Sequence, residues 1–548
     1  MISHRNLFRA ILIATSAWVV AGVSATAADA SDPVQAQVGR GKLLYLGNCA
    51  ACHQSAGQGT PGVFPPLAKS DYLAANREKI IKGLCEGLSG TITVNARSYN
   101  GFMPPAVLND QQAADVLTFV LNSWENPGGG VAADEVKKIR ETSQFKTYEE
   151  LRKANEFQPL PKPPEGWQIR EVTRLTNHAT RLASDGTGKR LYTLCANGDV
   201  WRVDVPTGAL KQIIWGSSYM HLGMGEPVVV GFTMDKEGRL WIVTNQRNET
   251  ETPHSAEVLI WRTSGTENGD PVAPRAWFQT SYPWGTGNHH GVGCIGFGPD
   301  GYLYVTSGSR TDGNDPALDD PKIAHVGETP LTACMWRFDP KSLKPQLEIF
   351  ARGLRNTYGF CWNDKGEMFG TENGPNADAP EELNLIEKGK HYGFPYKFSD
   401  WKHKPYAYTP DPPSGVEFTL PIANLGPAGC SLGKPYYTFE QHSSPSGIVF
   451  LGADFPEKHR GSFLIGRFGI LIQQPADYGF DLLQARLRKN AAGVYEATME
   501  TLLAPLARPV DVHLSGNGKV YIAEYTRSIS FKNSMALPGR ILELTATP

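Results

Sequence analysis

The sequence predicts a multidomain chain: a small all-α domain followed by an all-β six-bladed propeller. Three observations carry this. Apolar residues recur at helical spacing from Gln35 to about Glu141. After Trp167 the period shortens to that of β-strands. From there a Gly-led strand unit recurs six times to the C-terminus, and repetition on this scale suits radial blades better than a sandwich.

The N-terminus comes first. Arg5 and Arg9 flank the start of an apolar run, Ala10 to Val23, which leads to Ala25-Thr26-Ala27. A run of about 14 residues is too short to span a bilayer core of about 30 Å. Residues 1–27 therefore read as an export signal peptide, and the mature protein is expected in the periplasm without a stable membrane span. The formal net charge is -2 and no basic run occurs, which argues against a nucleic-acid partner, since phosphate binding needs a basic surface. The chain holds 57 Gly and 40 Pro, a supply of turns that fits many short strands.

The helical domain is expected at 35–126. Its last helix begins at Asp110, the expected N-cap, and runs to Leu121. Asn126-Pro127-Gly128-Gly129-Gly130 breaks it. Residues 127–165 read as a linker, charged and helical from about 131, ending in the Pro-rich stretch Pro159 to Pro164. The propeller takes 166–548. Its units start at Gly188, Gly238, Gly301, Gly366, Gly461 and Gly518, each leading into a strand such as Leu303-Tyr304-Val305-Thr306. Closing strands follow several of them, among them Val200 to Asp204 and Arg540 to Leu544.

Cys49-Ala50-Ala51-Cys52-His53 is a C-x-x-C-H haem-attachment signature. Two thiols at this spacing can add to the two vinyl groups of one haem, and His53 then sits under the iron. Met103, in Gly101-Phe102-Met103-Pro104-Pro105, is the candidate sixth ligand. The prolines stiffen the loop that presents the sulfur, and a thioether raises the potential; a core methionine is the alternative reading. Six cysteines remain: Cys85, Cys195, Cys294, Cys334, Cys361 and Cys430. Export permits disulfides among them, and burial as free thiols is the other option. Residues 38–126 resemble small class I cytochrome c domains. The signature, the Phe64-Pro65-Pro66-Leu67 loop, the Met-Pro-Pro loop and a last helix ending near Trp124 carry that resemblance.

A His/Met haem moves single electrons and leaves substrate chemistry to a partner, so the propeller is expected to hold a redox centre. There is no P-loop, and no G-x-G-x-x-G follows a strand and opens a helix, which argues against a nucleotide-type cofactor. Three clusters draw attention instead. In Asn288-His289-His290-Gly291, a His entering a strand can serve as general base near neutral pH. Gly353-Leu354-Arg355-Asn356-Thr357 sets a guanidinium beside an amide. Thr371-Glu372-Asn373-Gly374-Pro375-Asn376 makes a Gly-Pro corner whose carbonyls suit a hard cation such as Ca²⁺. Each alone also reads as ordinary loop structure.

In this order the three clusters resemble the soluble quinoprotein glucose and sorbosone dehydrogenase family, over roughly 215–545. That family's members are six-bladed propellers using pyrroloquinoline quinone (PQQ) and Ca²⁺. The resemblance implies His290 as catalytic base, Arg355 and Asn356 as PQQ contacts, and the carbonyls of Gly374 and Pro375 as Ca²⁺ ligands. It also implies Glu226 near the site, where the family has Gln, and Arg467 beside the PQQ carboxylates. The family's PQQ-binding Lys has no equivalent, and Leu451 lies near its position.

The expected function is a periplasmic quinohaemoprotein dehydrogenase acting on a sugar, aldehyde or alcohol. Its cofactors would be PQQ, Ca²⁺ and one covalent haem c as first electron acceptor. Electrons would pass on to a soluble cytochrome or another periplasmic acceptor. The alternative is a haem-linked propeller for binding or sensing without dehydrogenase chemistry.

Overall fold

The computed structural model describes residues 33–547 apart from 60–63, 104, 155, 221–226, 286–288, 315–320, 325, 378, 400–403, 405, 430–437, 470–477 and 530–537. The expected export signal, Pro104, Glu226, Asn288 and Cys430 lie outside the described residues.

The N-terminal domain is built on the helices Pro33–Asn48, Arg77–Glu86 and Asp110–Leu121. Tyr45, Ile81, Leu84, Leu117, Phe119 and Val120 form its buried centre. The first and last of these helices cross at Gly41, where any side chain would collide with the Asp115 backbone. Arg40 holds the crossing with two hydrogen bonds of 2.7 and 2.9 Å to the Asp115 carboxylate.

Three details differ from the expectation. The last helix is capped by Asn109, not Asp110: Asn109 Oδ1 accepts from the Gln112 N–H, and Gln112 Oε1 accepts from the Asn109 N–H, a reciprocal capping box. A β-hairpin, Leu88–Val94 with Arg97–Met103, interrupts the helical region. It turns on Asn95 and Ala96, both at positive φ (51° and 61°), which closes a two-residue turn. The helix Ala133–Arg140, expected as linker, packs on the domain: Val136 is fully buried in its core, and Arg140 is paired with Asp110 at 2.7 Å.

Six sheets follow, one for each Gly-led unit. Blade 1 holds the strands Ala179–Ser184, Arg190–Cys195, Val200–Asp204 and Leu210–Ile214. Blade 2 spans Pro227–Met234 to Asp270–Pro283, and blade 3 spans Val292–Phe297 to Glu348–Arg352. Blade 4 has three strands, Thr357–Trp362, Met368–Glu372 and Glu382–Ile386. Blade 5 begins at Pro445–Phe450 and carries an added parallel strand, Ala423–Pro427, on Tyr495–Leu503. Blade 6 holds Pro509–Leu514, Val520–Glu524 and Arg540–Ala546, and its outer strand is Trp167–Arg174 from the start of the domain. That pairing closes the ring. The first strand of each blade touches the first strands of both neighbours around a closed circle.

The leading glycines have a common cause. Gly188, Gly238, Gly301, Gly366, Gly461 and Gly518 all sit at φ between 71° and 80°, in the turn from first to second strand, where a Cβ is disfavoured. The second strands do not alternate as expected. Leu303–Ser307, Met368–Glu372 and Val520–Glu524 are buried at every position, because neighbouring blades cover both faces of each sheet. Antiparallel order then fixes what shares an end. The start of the first strand, the end of the second, the start of the third and the end of the fourth lie at one end of every blade.

Candidate functional site

Cys49 caps the short helix Ala50–His53, which ends on the His of the signature. The imidazole is buried, and its Nδ1 lies 3.0 Å from the Pro65 carbonyl oxygen. A carbonyl can only accept, so Nδ1 carries the hydrogen and Nε2 keeps its lone pair for a metal. Burial also lowers the His53 pKa, keeping the ring neutral. Met103 ends the hairpin, half-buried against the same core that Cys49, Leu67 and Trp124 line. The donor set therefore fits a covalently held haem: two thiols on one turn, a neutral imidazole with a free nitrogen, and a thioether on the same core. Met103→Ala is expected to lower the haem midpoint potential and abolish the weak sulfur-to-iron absorption band. Potentiometry with absorption spectroscopy checks this, and an unchanged potential and band would assign the sixth position to another residue.

On the propeller, His290 stands just before the first strand of blade 3, and Arg355 just before that of blade 4. Gly374 follows the second strand of blade 4. By strand order all three lie at one end of the ring. Hydrogen bonds join them. His290 N–H donates to Ser309 O at 3.0 Å, and Ser309 N–H donates to Arg355 O at 2.6 Å. Arg355 Nη1 donates to Asn373 O at 3.1 Å, next to Gly374. Gly308, just past the end of the second strand of blade 3, must be glycine, because a Cβ there would sit 2.6 Å from His290 Cβ.

The His290 side chain is half-buried, and among the described residues its solvent-shielded Nε2 has no hydrogen-bond partner. Burial, then the Arg355 charge, then His289 hold its pKa well below 6.5, so the ring is neutral at pH 7. His289 faces different neighbours, stacking on Trp284 at 4.1 Å. Arg355 is 2% exposed and pairs with Asp312 at 2.5 Å. Asp312 also accepts from the Tyr406 hydroxyl and from the Asn376 N–H. Asn356 donates its N–H to Glu372 Oε1 at 2.6 Å and keeps a half-buried side chain. Among the described residues, neither the Gly374 nor the Pro375 carbonyl accepts a hydrogen bond. Glu372, two residues before Gly374, is buried, and desolvation raises its pKa to about 7. Two unbonded carbonyls near a buried carboxyl fit a Ca²⁺ ion.

Arg467 ends the second strand of blade 5. Its guanidinium is held by Asp481, at 2.9 and 2.6 Å, and by Glu440. These two carboxylates fix the guanidinium in place. Leu451 is fully buried in the core and offers no cation. Two positioning residues escaped the sequence reading. Asn245 donates to Val228 O and Val292 O at 3.1 and 2.8 Å and accepts from the Val292 N–H at 2.7 Å, which fixes the strand behind His290. Asp312 holds Arg355 from 43 residues away. Cys85, Cys195, Cys294, Cys334 and Cys361 are free thiols, buried or half-buried.

The arrangement offers a neutral base beside a fixed guanidinium and a cation-ready corner. A family model described as Glucose / Sorbosone dehydrogenase matches residues 223–525, and one described as Cytochrome c matches residues 38–124. Cytochrome c-552 of Thermus thermophilus is 42% identical over 110 residues, which cover 18% of this chain and 83% of that protein. The cytochrome c subunit of the quinone alcohol dehydrogenase of Gluconobacter oxydans is 32% identical over 117 residues, covering 19% of this chain and 22% of that protein. Aldose sugar dehydrogenase from Streptomyces coelicolor, solved in its PQQ-bound form, superposes with a TM-score of 0.47 at 22% identity, over 70% of this chain and 99% of that one.

Proposed function

The chain belongs to the glucose/sorbosone dehydrogenase family and carries an N-terminal cytochrome c domain, and from that premise we propose that it is a periplasmic quinohaemoprotein dehydrogenase. It oxidises a sugar, aldehyde or alcohol with PQQ and Ca²⁺ in the propeller and hands the electrons to its own haem c. The observation that carries the reading is the solvent-shielded Nε2 of His290, without a hydrogen-bond partner among the described residues and tied through the backbone of Ser309 to Arg355.

When bound, PQQ supplies a two-electron quinone acceptor, Ca²⁺ a Lewis acid and haem c a one-electron carrier. His290 Nε2 takes the proton of the substrate hydroxyl, a role open to it because the ring is neutral. Arg355, locked by Asp312, and the amide of Asn356 would hold the quinone. The carbonyls of Gly374 and Pro375 would hold Ca²⁺. Cys49 and Cys52 would bind haem covalently, with His53 and Met103 as axial ligands. No helix of the described residues is long and apolar enough to cross a membrane. A soluble cytochrome or similar periplasmic acceptor would then collect the electrons.

Chelation followed by add-back tests the shared metal and quinone site. A chelator should remove dye-linked dehydrogenase activity, and PQQ with Ca²⁺ together should restore it. Full restoration by PQQ in rigorously Ca²⁺-free buffer would overturn the shared site.

A further inference from the structure

The linker meets the propeller before it enters the sheet. The Phe157 ring is covered by three guanidinium groups: Arg174 at 4.4 Å, Arg527 at 4.9 Å and Arg540 at 5.6 Å from its centroid. The next residue, Gln158, donates its N–H to Arg527 O at 2.6 Å and accepts from Arg540 Nη2 at 2.5 Å. Arg174 ends the fourth strand of blade 6, Arg540 starts the third, and Arg527 follows the end of the second. Those three positions define the same end of the ring as His290 and Arg355. The linker is thus fastened to the active face.

The rest of the segment accounts for the prolines. Trp167, where the outer strand starts, lies at the opposite end of blade 6. The eight-residue strand Trp167–Arg174 is about 26 Å long at ~3.3 Å per residue. The Pro-rich stretch from Gln158 to Pro164 spans about 19 Å at ~3.1 Å per residue, and a turn closed by the Trp167 N–H donating to Pro164 O at 3.2 Å carries the chain on to Trp167. Pro159, Pro161, Pro163 and Pro164 therefore make a stiff strut from one face to the other, and Pro161 is buried on the way. A chain that only had to reach Trp167 would need no contact with the active face.

Like charges do not converge on one ring without compensation. Arg540 is paired with Glu524 at 2.6 Å and with Glu171 at 3.2 Å, and Arg174 with Glu171 at 2.8 Å. Burial, and then Arg174, lower the Arg527 pKa, and the negative face of the Phe157 ring offsets that cost.

We propose that Phe157 and Gln158 form a latch that fixes the cytochrome tether on the active face of the propeller. They are positioning residues for electron transfer from the propeller site to the haem, an inference that rests on the dehydrogenase reading. Each substrate oxidation releases two electrons, which leave as two successive Fe(III)-to-Fe(II) reductions of the haem, with an external acceptor re-oxidising it between them. Releasing the latch frees the stretch from Phe157 to Trp167 and moves the root of the tether to the far face. The haem then spends less time near the active face, so haem reduction should slow at least about threefold.

The test uses the full-length holoenzyme and the double variant Phe157→Ala/Gln158→Pro, which removes both the ring and the N–H donor. Dye-linked turnover, drawn directly from the propeller, should match wild type, while stopped-flow haem reduction by substrate falls at least about threefold. Phe157→Tyr, which keeps the ring, should reduce haem at the wild-type rate. Unchanged haem reduction in the double variant overturns the latch. Equal loss of dye turnover and haem reduction also overturns it, since that is what a merely structural role would give. If wild type reduces neither dye nor haem, the dehydrogenase reading falls instead. Tryptic cleavage at the exposed Lys162 then decides the latch: faster cutting in the double variant supports it, and equal cutting overturns it.

Discussion

His290→Ala should slow single-turnover substrate oxidation at least about a hundredfold, within the ~10²–10⁴ that loss of a general base costs. PQQ should still bind, because Arg355 keeps its partner Asp312 and its place beside Asn373. His289→Ala should cost far less. The two rings have different surroundings: His289 stacks on Trp284, whereas His290 packs against Gly308 in the loop that Ser309 ties to Arg355. The pH dependence follows from the same geometry. A base works above its own pKa, and burial with the Arg355 charge holds His290 well below 6.5. The acid limb of the wild-type oxidation rate should therefore lie below pH 6.5 and vanish in His290→Ala. Rapid-mixing measurements across pH decide it; equal losses at the two histidines would show that neither is the specific base.

Asp312→Asn should have the largest effect on stability. Both members of the Asp312–Arg355 pair are buried, with side chains 4% and 3% exposed. Removing one partner of such a pair leaves an uncompensated buried charge and costs about 3–5 kcal/mol. The substitution also weakens the acceptor for Tyr406 and the Asn376 N–H, so the loop beside Gly374 should loosen with it. Urea unfolding reads the loss directly. PQQ carboxylates would give Arg355 a new counter-charge, so added PQQ should restore part of the lost midpoint. A change below about 1 kcal/mol would mean that Arg355 finds another acceptor and that Asp312 does not set its position.

What could be read from sequence was local. Cys49, Cys52 and His53 lie within one turn of chain, so their chemistry was visible in five letters. The six glycines were visible because each marks the same left-handed turn. Features that depend on distant pairing were hidden. Trp167–Arg174 closes blade 6 through partners 366 to 379 residues away, as in the 2.7 Å Arg170–Glu543 bridge. Asp312 and Asn245 act across loops, and nothing in their own neighbourhoods names Arg355 or Val292. The hairpin at Leu88–Met103 did leave a signal, alternating Thr91-Ile92-Thr93-Val94 before Asn95, which the surrounding helical pattern masked. The carboxylates that hold Arg467, Asp481 and Glu440, are 14 and 27 residues away, and nothing beside Arg467 in the sequence names them. The latch at Phe157 was equally invisible, because its three arginines come from three separate strand ends.

In the proposed function, substrate chemistry in the propeller drives the covalent haem of the same chain. The measurement closest to it is the haem spectrum of the purified full-length protein, loaded with PQQ and Ca²⁺, as sugars, aldehydes and alcohols are added without any external acceptor. Haem reduction is expected with at least one of these substrates, at a rate independent of protein concentration, and none when PQQ is withheld. Haem that stays oxidised with every substrate, or that is reduced equally well without PQQ, would contradict it.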